Sequence, residues 1–395
     1  LWASEKDGWR HLYQVSLEGK PEVLITKGEY DVIDLKYIHN KEGFVYYIAS
    51  PDNATQKYLY KTKLNGKGKN ELLSPASLKG SHDYSFSSNG NYAAHSFSNH
   101  FTPYSKEFIS IANHKALTEE ESILKNIKKI EEKPTTEFFT ITTEDNVELD
   151  GWMVKPTNFD PTKKYPVVFY VYSEPARATV NDSYNTSRNT LYIGDMAKDG
   201  YIYISLDNRG TPSPKGREWR KSIYRKIGVI NINDQAMAAK EILNWNFVDS
   251  ERVAVWGWSG GGSATLNLMF QYPEIYKTGI AIAAVANQLT YDNIYQERYM
   301  GLPKENKEDF ITGSPITYAK NLEGNLLYIH GTGDDNVHYQ NAELLLNELI
   351  KNNKQFQFMP YPNRTHGISE GEGTRKHLAT LYTNYLKLHC PPGGR

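Results

Sequence analysis

Across 395 residues, 45 Lys plus Arg stand against 46 Asp plus Glu, a net charge of −1. That length suits two or three domains with a large core, and the balance lacks the basic surplus of a dedicated nucleic-acid binder. Hydrophobic residues are 39% of the chain and form no unbroken run of about 18, so no transmembrane helix is expected. The single cysteine, Cys390, leaves no internal disulfide and argues against a disulfide-rich extracellular module.

Leu1 to Trp9 carry neither a Met start nor a signal-peptide pattern and read as the interior of a strand, as a fragment or processed piece would. Up to about residue 115 the pattern is one of short strands: His11–Leu17, Glu22–Thr26, Phe44–Ala49, Lys57–Leu64 and Tyr92–Phe97. The turns between them carry Asp7-Gly8, Glu18-Gly19, Asn65-Gly66 and Asn89-Gly90, residues that adopt tight hairpin geometry. His11–Leu17 recurs as Tyr58–Leu64 at an offset of 47, and Phe44–Ser50 recurs as Tyr92–Ser98 at 48. A period of roughly 40–50 residues is that of a propeller blade. About two blades fit in 1–115, too few to close a propeller.

Residues 116–133 are strongly charged, with Leu117, Leu124 and Ile127 at a rough helical spacing. They predict a connecting helix that stops before Pro134. From 134 to 395 strands and helices alternate. The strands are expected at Phe138–Thr142, Gly151–Val154, Pro166–Tyr172, Tyr201–Leu206, Arg252–Gly257, Thr278–Ala284, Asn325–His330 and Phe356–Tyr361. Continuous apolar runs such as Val167–Val171 and Val253–Trp256 belong to strands buried on both faces. Helices are expected over Asn231–Asn246, Ser263–Gln271 and Tyr339–Asn352. Such alternation specifies a doubly wound, mostly parallel α/β domain.

The segment Val253-Ala254-Val255-Trp256-Gly257-Trp258-Ser259-Gly260-Gly261 runs strand, Gly-x-Ser-x-Gly, helix. In that context the serine sits on a sharp turn at the carboxyl edge of the sheet, and the N–H groups that follow can meet an oxyanion. A serine hydroxyl needs a general base, and the base needs an orienting carboxylate. In an α/β-hydrolase they follow in the order acid, histidine. After the strand at Leu326–Ile329 come Asp334 and Asp335, either of which could be the acid. After the last strand comes His366. His330 and His338 lie too near the acid to serve as base and read as structural. His377 and His389 fall in the final helix. No Cys pair or His-x-x-x-His spacing points to a metal, and no cofactor is expected.

With these residues the chain resembles the dipeptidyl peptidase IV group of the prolyl oligopeptidase serine peptidases. The resemblance covers essentially the whole chain. It rests on Gly257-Trp258-Ser259-Gly260-Gly261, on Tyr291-Asp292-Asn293-Ile294-Tyr295-Gln296-Glu297-Arg298-Tyr299-Met300-Gly301-Leu302-Pro303, on His330-Gly331-Thr332-Gly333-Asp334-Asp335-Asn336-Val337-His338, and on Asp207-Asn208-Arg209-Gly210. It implies an α/β-hydrolase domain preceded by the last blades of a β-propeller. It implies Ser259, Asp334 and His366 as triad, the first aspartate of the pair being its member. Tyr172 and the Gly260 N–H would form the oxyanion hole. Trp258, Val285, Tyr291, Tyr295 and Val337 would line a proline-sized pocket, and Asn336 would bind the carbonyl of the preceding substrate residue. The activity implied is release of N-terminal dipeptides after proline or alanine, through an acyl-enzyme. The family also implies a homodimer and a periplasmic or secreted location.

Three departures stand out. Gly260 replaces the family's usual aromatic. Ser173-Glu174-Pro175 replaces small-Gly-Pro after Tyr172. The family's amine-binding glutamate pair belongs to a propeller helix upstream of these residues, so a tripeptidyl or acylaminoacyl-type peptidase fits the same hydrolase domain. A non-catalytic binding protein that keeps the hydrolase fold is the reading from another class.

Overall fold

The computed structural model describes residues 1–127 and 136–395. They form two compact units. The first holds Leu1–Thr135, Val180–Thr186 and Ser213–Lys221; the second holds Thr136–Thr179, Ser187–Pro212 and Ser222–Arg395. Residues 180–186 and 213–221, which the sequence pattern groups with the α/β part, thus cluster with the β-rich unit.

The first unit contains three antiparallel sheets: β1 (Trp2–Ser4), β2 (His11–Gln14) and β3 (Val23–Leu24); β4 (Val32–His39), β5 (Phe44–Ala49), β6 (Tyr58–Lys63) and β7 (Glu71–Leu72); and β8 (Ser81–Phe86), β9 (Tyr92–Ser98), β10 (Ser105–Ser110) and β11 (Lys115–Ala116). These are the last blades of a β-propeller: two four-stranded sheets and a three-stranded one. The repeat at offset 47 falls on β2 and β6, and the one at 48 on β5 and β9. Strand β5 shows why the sheets stack. Val45, Tyr47 and Ala49 pack in a cluster with Leu12, Ile25 and Val32. Tyr46 and Ile48 point the other way and pack with Leu59, Tyr84, Ala93 and Ile109. A strand with a period of two and two buried faces needs a sheet on each side.

The expected connecting helix over 116–133 is corrected in its first half. The Leu117 N–H bonds the Phe108 carbonyl and Lys115–Ala116 pairs with β10, so strand pairing takes the backbone groups a helix would need. The helix starts only after Ser122, as the single turn α1 (Ile123–Ile127). Residues 128–133 of that expectation lie outside the described residues.

The second unit is an α/β-hydrolase sheet of eight strands: β12 (Thr136–Thr142), β13 (Glu148–Val154), β14 (Tyr165–Tyr170), β15 (Ile202–Asp207), β16 (Val248–Trp258), β17 (Thr278–Ile282), β18 (Asn325–Gly331) and β19 (Gln357–Tyr361). Their order is β12-β13-β15-β14-β16-β17-β18-β19. β12 pairs antiparallel with β13 and β13 with β15; every other pair is parallel. The helices are α2 (Met196–Asp199), α3 (Gly216–Lys221, in the first unit), α4 (Ile230–Leu243), α5 (Gly260–Gln271), α6 (Asn293–Met300), α7 (Pro303–Gly313), α8 (Gln340–Lys351) and α9 (Thr374–His389). None is long and apolar enough to cross a membrane among the described residues. The carboxyl ends of β16, β18 and β19 point the same way, so the loops that follow them gather at one edge of the sheet.

The first unit has one dense charge cluster. Asp31, 1% exposed, accepts from Arg220 Nη1 at 2.5 Å and Nη2 at 3.0 Å, and from the N–H groups of Arg10 and Gly216 at 2.7 and 2.8 Å. Burial alone would raise its pKa, but these bonds and the Arg220 charge hold the carboxyl below its ordinary range. Asp31→Ala should therefore destabilise this unit by about 2–3 kcal/mol, since it removes the buried carboxylate of the cluster and leaves Arg220 with Glu5, 2.9 Å away, as its carboxylate partner. The wild-type contribution is present above the ordinary carboxylate pKa and is lost as pH falls through the depressed one. Denaturant unfolding of both proteins at neutral and acid pH measures this, and the gap should narrow in acid.

Candidate active site

The site begins where β16 becomes α5. Ser259 adopts φ 58° and ψ −122°, a left-handed conformation costly for a residue with a Cβ. Close packing enforces it. A Cβ on Gly257 would lie 2.4 Å from the backbone of Gly261, and one on Gly261 would lie 2.2 Å from the Val171 carbonyl. Only glycine permits this approach of helix to sheet. The Ser259 N–H donates to the Ile282 carbonyl at 2.9 Å, which ties the turn to the end of β17. Gly260 opens α5, so its N–H lacks an intrahelical acceptor.

The other two residues come from the loops after β18 and β19. His366 Nδ1 lies 2.9 Å from Asp334 Oδ2. Asp334 also accepts from the N–H groups of Asn336 and Val337 at 2.9 and 2.8 Å. His330 Nε2 sits 3.3 Å from the same carboxylate while bonding the Val337 carbonyl at 2.9 Å. Burial opposes ionisation here, but the bonds from His330, His366 and Asn336 hold Asp334 well below the usual carboxylate range. Asp335 is exposed and, among the described residues, accepts only from the His366 N–H, at 3.4 Å. The Trp258 indole donates to the His366 carbonyl at 3.0 Å and so fastens the histidine loop to the residue before Ser259. His330, four residues before the acid and expected to be structural, stands beside Asp334 as a prop.

Tyr172 follows β14 with its phenol against Ser259. Burial first, then the Glu174 charge, push it up to about 12, while Arg177 and the hydrogen bond with Ser259 pull it down. The rings of Tyr291 and Tyr295 meet edge to face at 5.5 Å, and the Tyr291 hydroxyl donates to Asn336 Oδ1 at 2.7 Å. Tyr295 also packs against Ile223, Ile227, Met300 and Phe310, so it belongs in part to the core. Val285 is buried after β17, its N–H on the Ser263 hydroxyl at 2.9 Å. Val337 is fully buried. Trp258 is engaged by the His366 carbonyl and by Arg375, 6.0 Å above its ring.

Glu174, whose direction the sequence left open, turns inward. It is 6% exposed, and Oε2 accepts from the Tyr295 hydroxyl at 2.9 Å. Burial, only partly offset by that bond, raises its pKa to about 7.

Among the described residues one group could hold a metal ion: His95, Glu107 and His114, with ligand atoms within 4.8 Å of one another. Its members are already in use within the first unit. His82 Nε2 donates to the Leu78 carbonyl, so its Nδ1 accepts from His95 Nε2 at 2.9 Å; His95 Nδ1 faces Glu107 at 2.8 Å. The Glu107 carboxylate also accepts from the Ile123 N–H, and Tyr84 bonds His114. The sequence pattern had pointed to no metal ligand.

A serine on a strained strand-to-helix elbow, with an aspartate–histidine pair on the loops of later strands, is the layout of the α/β-hydrolase class. Within that class the chain belongs to the prolyl oligopeptidase family, whose sequence pattern matches residues 186–389. Residues 1–104 match the dipeptidyl peptidase IV N-terminal region. The chain is 31% identical over 352 residues to dipeptidyl peptidase 4 of Trichophyton equinum, covering 88% of this chain and 45% of that one. It is 32% identical over 371 residues to a probable dipeptidyl-aminopeptidase B of Arthroderma otae, covering 92% and 40%. The crystal structure of Porphyromonas gingivalis dipeptidyl peptidase 4 matches with a TM-score of 0.87 and 34% identity, over 98% of this chain and 54% of that one. A putative dipeptidyl aminopeptidase IV from Bacteroides ovatus matches with a TM-score of 0.84 and 28% identity, over 98% and 57%. The chain thus spans about half the length of the curated relatives it matches.

The raised pKa of Glu174 has a measurable consequence for stability. Folded, the carboxyl holds its proton to about pH 7, against an ordinary value of 4.5. The stability this lends is full below the ordinary value and lost as pH rises through the folded one. Glu174→Gln does not titrate. Between about pH 5 and about pH 8 its unfolding free energy should gain about 3 kcal/mol on the wild type. Denaturant titration of the two proteins at both pH values checks this.

Proposed function

We propose that the protein carrying this chain is a serine exopeptidase that removes dipeptides from the N-terminus of peptides, cleaving after proline or alanine. The observation that carries the reading is the Asp334–His366 pair fastened through Trp258 to the residue preceding a strained Ser259. The names of the similar proteins, dipeptidyl peptidase 4 and dipeptidyl-aminopeptidase B, support it.

In this mechanism His366 takes the Ser259 proton as Oγ attacks the carbonyl carbon before the scissile bond. Asp334 holds the imidazole with Nδ1 toward itself and stabilises the imidazolium. The Gly260 N–H and the Tyr172 hydroxyl receive the oxyanion. The carbon–nitrogen bond breaks as His366 returns the proton to the leaving amine. Water then enters by the same path in reverse and frees Ser259 from the acyl group. Tyr291, Tyr295, Val285, Val337 and Trp258 would hold the proline ring, whose flat, compact shape suits an aromatic pocket. Asn336, already bonded to Tyr291, would take the preceding carbonyl. The family pattern carries two further expectations, a homodimer and an exported location.

X-Pro-anilides and the full-length protein test the reading. Ser259→Ala and His366→Ala should each lower kcat by about 10⁶, and Asp334→Ala by about 10⁴. Mass spectrometry of products from two peptides, one with proline at position two and the other with proline at position three, separates dipeptide from tripeptide release. Brisk cleavage of blocked internal-proline peptides with no X-Pro turnover would overturn the exopeptidase reading. A folded protein whose Ser259 ignores a fluorophosphonate would favour the non-catalytic one.

A further inference from the structure

Glu174 and Gly260 are two of the positions at which this chain departs from its family, and they touch. A Cβ on Gly260 would lie 2.8 Å from Glu174 Oε2 and 2.9 Å from its Cδ. Those distances are inside van der Waals contact, so a side chain at 260 would displace the carboxyl from where it now lies. The glutamate is held there. Ser173 adopts φ 71°. Its hydroxyl donates to Asn208 Oδ1 at 2.8 Å, and its carbonyl accepts from Asn208 Nδ2 at 3.0 Å and Asn231 Nδ2 at 3.2 Å. All three residues are buried. Two amides lock a left-handed turn, and the turn directs the next side chain inward.

Glu174 Oε2 is taken by Tyr295, whereas Oε1 has no hydrogen-bond partner among the described residues. When ionised, this carboxyl raises the hydroxyls of Tyr172, Tyr291 and Tyr295, so it lies near all three. It therefore stands among the oxyanion phenol, the two pocket tyrosines and the residue after the nucleophile.

We propose that Glu174 is a specificity-determining residue of the pocket for the substrate residue before the scissile bond. Its carboxyl replaces the absent 260 side chain as pocket wall, and its free oxygen bonds a substrate side chain that carries a hydrogen-bond donor, a hydroxyl above all. This deepens the peptidase reading above and rests on it. A bound hydroxyl satisfies the carboxyl; a bound methyl leaves a polar atom shut away from water, and the difference falls on kcat/KM.

The test uses the full-length protein and two substrates that differ by one oxygen, Gly-Ser- and Gly-Ala-anilide. The Ser/Ala ratio of kcat/KM should fall about tenfold from wild type to the Glu174→Gly, Gly260→Tyr double variant. Gly260→Tyr alone should slow labelling of Ser259 by a fluorophosphonate or lower the unfolding temperature, and adding Glu174→Gly should recover either loss. Glu174→Gln keeps the size of the side chain and should keep part of the Ser preference. An unmoved Ser/Ala ratio, or a Gly260→Tyr variant that labels and melts as wild type does, overturns the inference while X-Pro turnover leaves the peptidase reading standing. A wild type that neither labels nor turns over X-Pro overturns both.

Discussion

The first turn of helix α5 meets the sheet with no side chain between them, and the site depends on that contact. A methyl group at Gly257 or Gly261 would fall 2.2–2.4 Å from backbone atoms on the neighbouring segment, far inside van der Waals contact. With that room closed, the chain leaves β16 in one residue, and Ser259 takes a left-handed φ. Three features follow from the same geometry. The serine stands on a one-residue turn, the Gly260 N–H has no intrahelical acceptor, and Tyr172 after β14 and His366 after β19 meet Ser259 and Trp258 respectively. A looser junction would keep the fold and lose all three.

The electrostatics are arranged around one carboxylate. Asp334 is buried with two backbone N–H donors, His366 and a second histidine around it, so ionisation survives desolvation. A carboxylate fixed on that many donors cannot swing, and His366 inherits its orientation. The same environment would raise the carboxyl if any partner were lost, since burial is the largest single influence on it. Glu174 is the contrasting case. With one hydrogen bond in place of four contacts, burial prevails, and the group keeps its proton to about pH 7. Two acids near one serine are thus held in opposite charge states by the number of donors each meets.

The parallel sheet was legible because buried strands write long apolar runs. Val167–Val171 and Val253–Trp256 announce β14 and β16, and the chain order serine, acid, histidine follows from the fold. The β-rich unit was read less fully. β4 carries register shifts between Val32 and Asp34 and between Leu35 and Tyr37, which break its alternation. β8 buries His82 and Tyr84 in a hydrogen-bonded group, so its inward face looks polar. α7 is kinked at Asn306, which blurs its period. Within the site, the contact between Glu174 and Gly260 could not be read at all. Each looked like an isolated departure, because nothing in either segment alone tells that Ser173 is left-handed.

That turn shows how the departures cohere. Ser173 and Ser259 are both non-glycine residues at positive φ, at 71° and 58°. Each such residue costs about 1–3 kcal/mol, and the surrounding structure must supply it. At Ser259 the supply is the glycine-lined packing of α5. At Ser173 it is the pair of buried amides, Asn208 and Asn231. One strained turn presents the serine, and the other presents the acid that occupies the space beside it. Replacing a 260 side chain by glycine removes a wall, and turning Glu174 inward restores one of different chemistry. The change is therefore one substitution of volume spread over two loops, with Tyr295 as the hydrogen-bond donor that makes a buried carboxyl tolerable there.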